Sequence, residues 1–229
     1  LTVHSEKTRT PHEVRAMAIA VQANLVTLVV AESKRLGKKT DQHDIKFAAP
    51  GAVKHFRETL IESKTIAAYS DVELHLRLRE IWGQFCLMGW LFSLNEPGRA
   101  GSARHDSPNE SDKPATFAGL PDTAEMHCGT ALEIKDAEIR GFLWKMLFEQ
   151  RRRLDPAYEK SPAFAKEMEL ASQIPAKGFG KPIEKLTGEQ LLYLSCEYAG
   201  MLAAIRWVSD PKLPWAAPGI MEVGESPFN

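Results

Sequence analysis

Apolar residues recur every three or four positions over several stretches of the chain, which is the spacing of one face of an α-helix. The clearest stretch follows Thr10-Pro11, an N-cap residue and a proline suited to the first helical position. Glu13 completes a capping box with Thr10, and Gly37 offers a stop after the last apolar residues. The pattern predicts a first helix over residues 11–36.

The stretch over residues 71–94 fits two structures. Apolar and polar residues alternate strictly from Val72 to Arg79, which is typical of a strand. The apolar run then continues to Leu94, Asp71 would cap a helix well, and no other stretch offers a partner strand. These features favour one long helix, with a strand followed by a helix as the alternative.

The remaining apolar stretches are also helical in spacing, and prolines interrupt the end of the chain. Four further helices are predicted, over residues 51–64, 136–153, 161–172 and 188–208. Thr187 would cap the last of them. The fold class is therefore predicted to be mostly all-α, an irregular bundle of about five to six helices with an extended Pro-rich C-terminal tail.

Composition changes abruptly after residue 94, where proline, glycine, serine and acidic residues replace apolar ones. A stretch of this length and composition indicates a long flexible connector. The predicted organisation is an N-terminal helical half, a connector, a C-terminal helical half and a tail, over residues 1–94, 95–121, 122–208 and 209–229. We expect the halves to share one core, and no internal repeat is evident.

Bulk composition narrows the functional classes. The 229 residues include 44% hydrophobic and 26% charged residues, and the formal net charge is -1, so no overall field steers the chain to nucleic acid or an anionic membrane. Cys86, Cys128 and Cys196 lie far apart, which favours a reducing, cytoplasmic compartment. Polar residues interrupt each apolar run and no signal-peptide pattern appears, so no membrane segment is expected.

No pattern of residues indicates catalysis, a metal site or a cofactor. The run GFGKP at 178–182 lacks the remaining residues of a phosphate loop, and the segment 125–128 lacks a second Cys/His pair for zinc. His43 and His127 are the candidates for a composite enzyme site. His55 and His75 are expected on solvated helix faces.

Basic residues gather in three clusters. Lys34 to Lys39, and Arg151 to Arg153, follow or end predicted helices, where cations complement the helix dipole. The third cluster lies in a glycine-containing loop before a helix and is suited to bind an anion or nucleic acid. The residues predicted for this site are Lys177, Gly178, Phe179, Gly180, Lys181 and Lys185, with Arg151, Arg152 and Arg153 converging on the same phosphates.

The favoured hypothesis for function is a non-catalytic helical interaction protein, a subunit that docks to other protein chains. It depends on an apparent surplus of apolar helix surface and on apolar residues of the tail that would anchor a partner, namely Trp215, Ile220, Met221 and Phe228. One alternative is a nucleic-acid-associated subunit that contacts phosphates through residues 177–185. A second is an enzyme whose site the sequence does not reveal.

Overall fold

The computed structural model describes residues 8–40, 46, 51, 53–94, 117–120, 124–174 and 176–215. Within these residues the chain is helical apart from one two-stranded hairpin, which confirms the predicted all-α class. The elements are α1 (Pro11–Arg35), α2 (Ser63–Ala68), α3 (Asp71–Leu91), α4 (Thr130–Leu154), α5 (Phe164–Ser172), β1 (Lys177–Gly178), β2 (Lys181–Pro182) and α6 (Gly188–Ser209).

Three long helices begin with a capping box, and Thr10 and Thr187 are the predicted caps, whereas Ser70 rather than Asp71 caps α3. Thr10, Ser70 and Thr187 each cap a helix, and each takes part in a capping box with the residue three positions later. The segment 71–91 is a continuous helix, so the strand alternative is wrong.

Three predicted helix boundaries are wrong. Residues 51–64 do not form one helix, because Phe56 has a left-handed backbone conformation (φ 53°), and only a 3-10 turn and α2 follow it. Helix α4 begins at Thr130 rather than at 136. Ser161-Pro162 lies in a turn, and α5 begins two residues later, at Phe164.

Helices α3 and α6 form the centre of the molecule and run parallel to each other. His75 contacts Tyr193, with ring centroids 4.4 Å apart. One helical turn further along both helices, the Arg79 guanidinium lies 4.0 Å from the Glu197 carboxylate, so the two helices run in the same direction. Helix α1 packs on α3 and α4 packs on α6, each antiparallel to its neighbour. The starts of α3 and α6 and the ends of α1 and α4 therefore lie at one end of the molecule.

The two halves of the chain repeat one another, which the sequence analysis missed. Ser70 and Thr187, the caps of α3 and α6, are 117 residues apart (70 and 187). At the same offset the two helices share four identical residues within 17 positions. These pairs are Leu74 and Leu191, Glu80 and Glu197, Gly83 and Gly200, and Trp90 and Trp207.

Contacts within each half repeat as well. Near the end of α1, Arg35 donates hydrogen bonds to the carbonyl oxygens of Ile66 and Tyr69, just before α3. Near the end of α4, Arg153 donates to the carbonyl oxygen of Leu186, just before α6. An arginine thus joins the long helix to the start of the central helix in both halves.

Contacts between the halves are reciprocal. The backbone N–H of Arg9 donates to Val208 at the end of α6, and that of His127 donates to Leu91 at the end of α3. The Arg9 guanidinium lies over the ring of Trp207, and His127 stacks on the equivalent Trp90. The segment before each long helix thus crosses to the other half, so a pseudo-two-fold axis relates the halves.

The main core takes residues from both halves, and a smaller separate cluster holds Phe148, Tyr158 and Ala171. The main core includes Phe117, fully buried although the sequence placed it in the flexible connector, and the Arg15 guanidinium donates to its carbonyl oxygen. Residues 95–116 and 121 of that predicted connector lie outside the described residues, as do residues 216–229 of the tail.

Helix α1 is also long and apolar enough to cross a membrane by length and composition, with a mean hydropathy of 1.8 over 18 residues. The expectation that every apolar run is too short or too polar is therefore wrong for this segment. In the fold, 61% of those residues are buried, with Met17 and Leu28 fully covered. A buried core helix passes the same test of length and composition as a membrane span.

Candidate functional site at the start of the central helices

The closest approach of the two halves is made by two glycines of the central helices. A Cβ atom added to Gly83 would overlap the carbonyl oxygen of Glu197, and one added to Gly200 would overlap that of Glu80. We call Glu80, Gly83, Glu197 and Gly200 the Glu–Gly crossing. Because glycine has no side chain, the backbones meet directly, and the two contacts are symmetric.

Both glutamates of the Glu–Gly crossing are buried. Glu80 is 4% exposed and Glu197 is 1% exposed. Burial raises the pKa of each carboxyl from its ordinary value to about 7, although arginines of α3 oppose the shift. Arg77 hydrogen-bonds Glu80 and Arg79 lies 4.0 Å from Glu197. Near neutral pH, each carboxyl therefore gains or loses a proton inside the fold.

A second polar group lies beside the crossing, toward the starts of α3 and α6. Glu32 of α1 contacts His75 Nδ1 at 3.0 Å, His75 packs on Tyr193, and the Arg79 guanidinium lies 5.9 Å from the same tyrosine ring. We call Glu32, His75, Arg79 and Tyr193 the His75 cluster. His75 is thus paired with a carboxylate, rather than lying on a solvated face as the sequence analysis expected.

The internal repeat acts as a control for the His75 cluster. At the equivalent positions of the other half, Leu192 replaces His75, Cys196 replaces Arg79, and Leu76 replaces Tyr193. The Glu–Gly crossing thus recurs in both halves, whereas the His75 cluster does not. The internal repeat therefore does not account for the polar residues of the His75 cluster.

The geometry of the His75 cluster does not favour catalysis. A carboxylate on Nδ1 orients a histidine to use Nε2 as a base. In this structure, however, Nε2 is buried and has no hydrogen-bond partner among the described residues. A base must reach the proton it removes, and this atom faces the interior.

Large apolar side chains are exposed at the helix ends where the His75 cluster lies. Leu36 and Val72 are 60% and 62% exposed, and the ion pair between their neighbours Arg35 and Asp71 (2.9 Å) places them close together. Leu154, at the end of α4, is 79% exposed, and Leu192 follows at the start of α6. We call Leu36, Val72, Leu154 and Leu192 the apolar end.

The predicted anion site also lies at this end of the molecule, but as a hairpin. Strands β1 and β2 pair Lys177 with Pro182 and Gly178 with Lys181, and Phe179 and Gly180 form the turn with positive φ values. The side chains of Lys177, Lys181 and Lys185 are exposed. Phe179 packs against the core, so its ring is not presented for stacking on a base.

The arginines predicted to join these lysines have partners within the chain. Arg152 bonds Glu149 at 2.8 Å, and Arg153 bonds Glu149 and the carbonyl oxygens of Glu184 and Leu186. The guanidinium of Arg151 lies 4.1 Å from the centre of the Tyr158 ring. The structure thus brings the lysines and arginines to the same end, but the arginines hold the chain together there.

The other candidate residues have structural surroundings. Trp215 packs edge-on against Trp207, with ring centroids 5.3 Å apart, while Ile220, Met221 and Phe228 lie outside the described residues, as does His43. His127 stacks on Trp90, and its Nε2 lies 3.1 Å from the Ser93 hydroxyl. Within the described residues, no group of three His, Cys, Asp or Glu side chains is arranged to hold a metal ion.

Two surface hollows lie away from both polar groups. One, of about 570 Å³, is open and lies between the start of α1 and residues 124–128. The other, of about 280 Å³, lies between α4 and α5. Its charged side chains pair with one another, Lys145 with Glu184 at 2.9 Å and Arg152 with Glu149 at 2.8 Å. These pairs include every charged side chain that lines the second hollow, whereas the first is lined by His12, Glu125 and the unpaired Cys128.

Comparison of the chain with protein-family models, with curated proteins and with solved structures finds no match. The residues of the fold are therefore the basis for assigning a function.

Proposed function

We propose that this protein is a non-catalytic helical interaction protein, which binds another protein chain at the apolar end. The observation that carries the proposal is the exposure of Leu36, Val72 and Leu154 at the end of the molecule that holds the His75 cluster, a polar group with no counterpart in the other half. Clustered exposed apolar side chains are typical of surfaces that bind proteins.

The support differs from the apolar surplus that the sequence suggested. Most apolar residues of α1 and α3 are covered within the chain, Leu28 and Leu87 completely. Three of the most exposed apolar side chains that remain, Leu36, Val72 and Leu154, lie where four helix ends meet. The three cysteines are unpaired, and we place the protein in a reducing compartment such as the cytoplasm.

The test is capture of partners from the native cell with the wild-type chain and with two surface variants. Val72→Glu puts a charge into the apolar end, and we expect it to lower partner recovery at least tenfold, since a buried unpaired charge opposes association. Ile134→Glu is the matched control, because Ile134 is 64% exposed on α4 at the opposite end of the molecule. It should leave recovery unchanged.

Nuclease treatment and added salt distinguish docking of a protein from binding of a nucleic acid. Protein docking at an apolar surface should survive both, whereas contacts of Lys177, Lys181 and Lys185 with phosphates should weaken steeply with salt. Loss of partners after nuclease treatment, or equal loss in the Val72→Glu and Ile134→Glu variants, would contradict docking at the apolar end.

A further inference from the structure

We propose that the first half of one chain can pair with the second half of another copy of this chain, giving an exchanged dimer. The surface involved is the face of α3 that holds α6, and the partner is the α6 face of a second copy. This proposal is independent of docking at the apolar end, because it uses the centre of the fold.

The halves meet as two copies of one unit would meet in a two-fold dimer. Gly83 lies against the backbone of Glu197, and Gly200 lies against that of Glu80. Such symmetric pairs of contacts are the mark of an isologous interface, in which both partners use the same surface. In a homodimer, such symmetry follows from identical chains.

The reciprocal contacts extend to the far ends of the central helices. Arg9 bonds Val208 at 3.0 Å and covers Trp207, while His127 bonds Leu91 at 2.9 Å and stacks on Trp90. Each half thus contributes the segment that completes the other. In an exchanged dimer, every one of these contacts is kept, but it joins two chains instead of one.

None of the contacts described between the halves is covalent, and the described cysteines form no disulfide. The exchanged and closed forms therefore share the same noncovalent interface, and concentration decides between them. Refolding at high protein concentration favours the meeting of halves from different chains. The expected result is a dimer fraction that rises with refolding concentration, measured by size exclusion with light scattering.

The exchange itself is tested with two full-length variants. One carries His75→Cys and the other Tyr193→Cys, because these half-buried rings meet across α3 and α6. Both also carry Cys128→Ser and Cys196→Ala. Cys86 is kept, since its burial raises the pKa of its thiol and makes it unreactive. A short bis-maleimide then joins neighbouring thiols.

After the two variants are refolded together, we expect a covalent species that contains one copy of each. Mixing the two already folded variants should give severalfold less of it. The control pair is His75→Cys with Ile134→Cys, whose thiols lie at opposite ends of the fold. Only monomers at every refolding concentration, or equal linkage in the control pair, would overturn the proposal. Neither result bears on capture of partners at the apolar end.

Discussion

Glu80 and Glu197 are the residues whose chemistry most depends on the fold. Both side chains lie in the interior beside a backbone contact, and each has an arginine of α3 as its charged neighbour. A carboxylate in the interior is costly unless its charge is fully compensated. Burial raises the pKa of both carboxyls to about 7, so here compensation is incomplete.

Stability should therefore fall as the pH rises from about 4.5 to about 7. A raised pKa means that the folded state binds the proton more tightly than the unfolded state, so the stabilisation is complete below pH 4.5 and is lost as the pH passes 7. A shift of this size corresponds to at most roughly 3 kcal/mol for each group.

The measurement is the free energy of unfolding in denaturant between pH 5 and pH 8. We expect Glu197→Gln to be less sensitive to pH than the wild type over this interval, and the double variant with Glu80→Gln to be less sensitive still. The exposed Glu62 provides the control, and Glu62→Gln should leave the pH dependence as it is. Identical pH profiles in the wild type and the double variant would contradict buried titration.

At the scale of the helices, the close approach of α3 and α6 depends on Gly83 and Gly200, which have no side chain beyond a hydrogen atom. Gly83→Ala and Gly200→Ala should each lower the free energy of unfolding by about 1–3 kcal/mol, because the methyl group would overlap a backbone oxygen that cannot move aside. Chemical denaturation followed by far-UV circular dichroism measures this.

Gly141 offers a matched control for the glycine substitutions. It also lies inside a helix, α4, but a Cβ atom there would meet only a side-chain carbon of Ile174 at 3.9 Å. Gly141→Ala should therefore stabilise the protein by about 0.5–1 kcal/mol through helix propensity. If Gly83→Ala raised the free energy of unfolding as much as Gly141→Ala does, that result would contradict a tight contact at the Glu–Gly crossing.

The helices that the sequence predicted well are those whose ends have a local chemical cause. Thr10, Ser70 and Thr187 form capping boxes with residues three positions away, so sequence alone places these starts. The start of α4 was misplaced because Gly129 caps it with no side-chain bond. Phe56 stops the predicted helix over 51–64 through a left-handed conformation that its residue type does not announce.

At the scale of the whole molecule, the two halves should unfold together. The main core takes residues from both, and the Glu–Gly crossing joins the backbones of the two halves. We expect a single transition in guanidinium, with coincident curves from tryptophan fluorescence and far-UV circular dichroism. Two separated transitions would show that the halves are independent.

The repeat and the candidate site could not be predicted from the sequence for a physical reason. Four identities in 17 positions are too few to reveal an offset of 117 residues unless the contacts are known. His75 seemed solvated because its partners, Glu32 and Tyr193, come from helices distant in sequence. Such groups form only when the fold brings α1, α3 and α6 together.

The contact of Arg9 with Val208 has a consequence for chain connectivity. It holds the start of α1 beside the end of α6, and Arg9 also bonds the carbonyl oxygen of Leu213. Joining the segment before α1 to the segment after α6, and opening the chain between the halves, would give a circular permutant in which the second half comes first. Because the central and long helices of the two halves correspond, we expect this permutant to adopt the same fold.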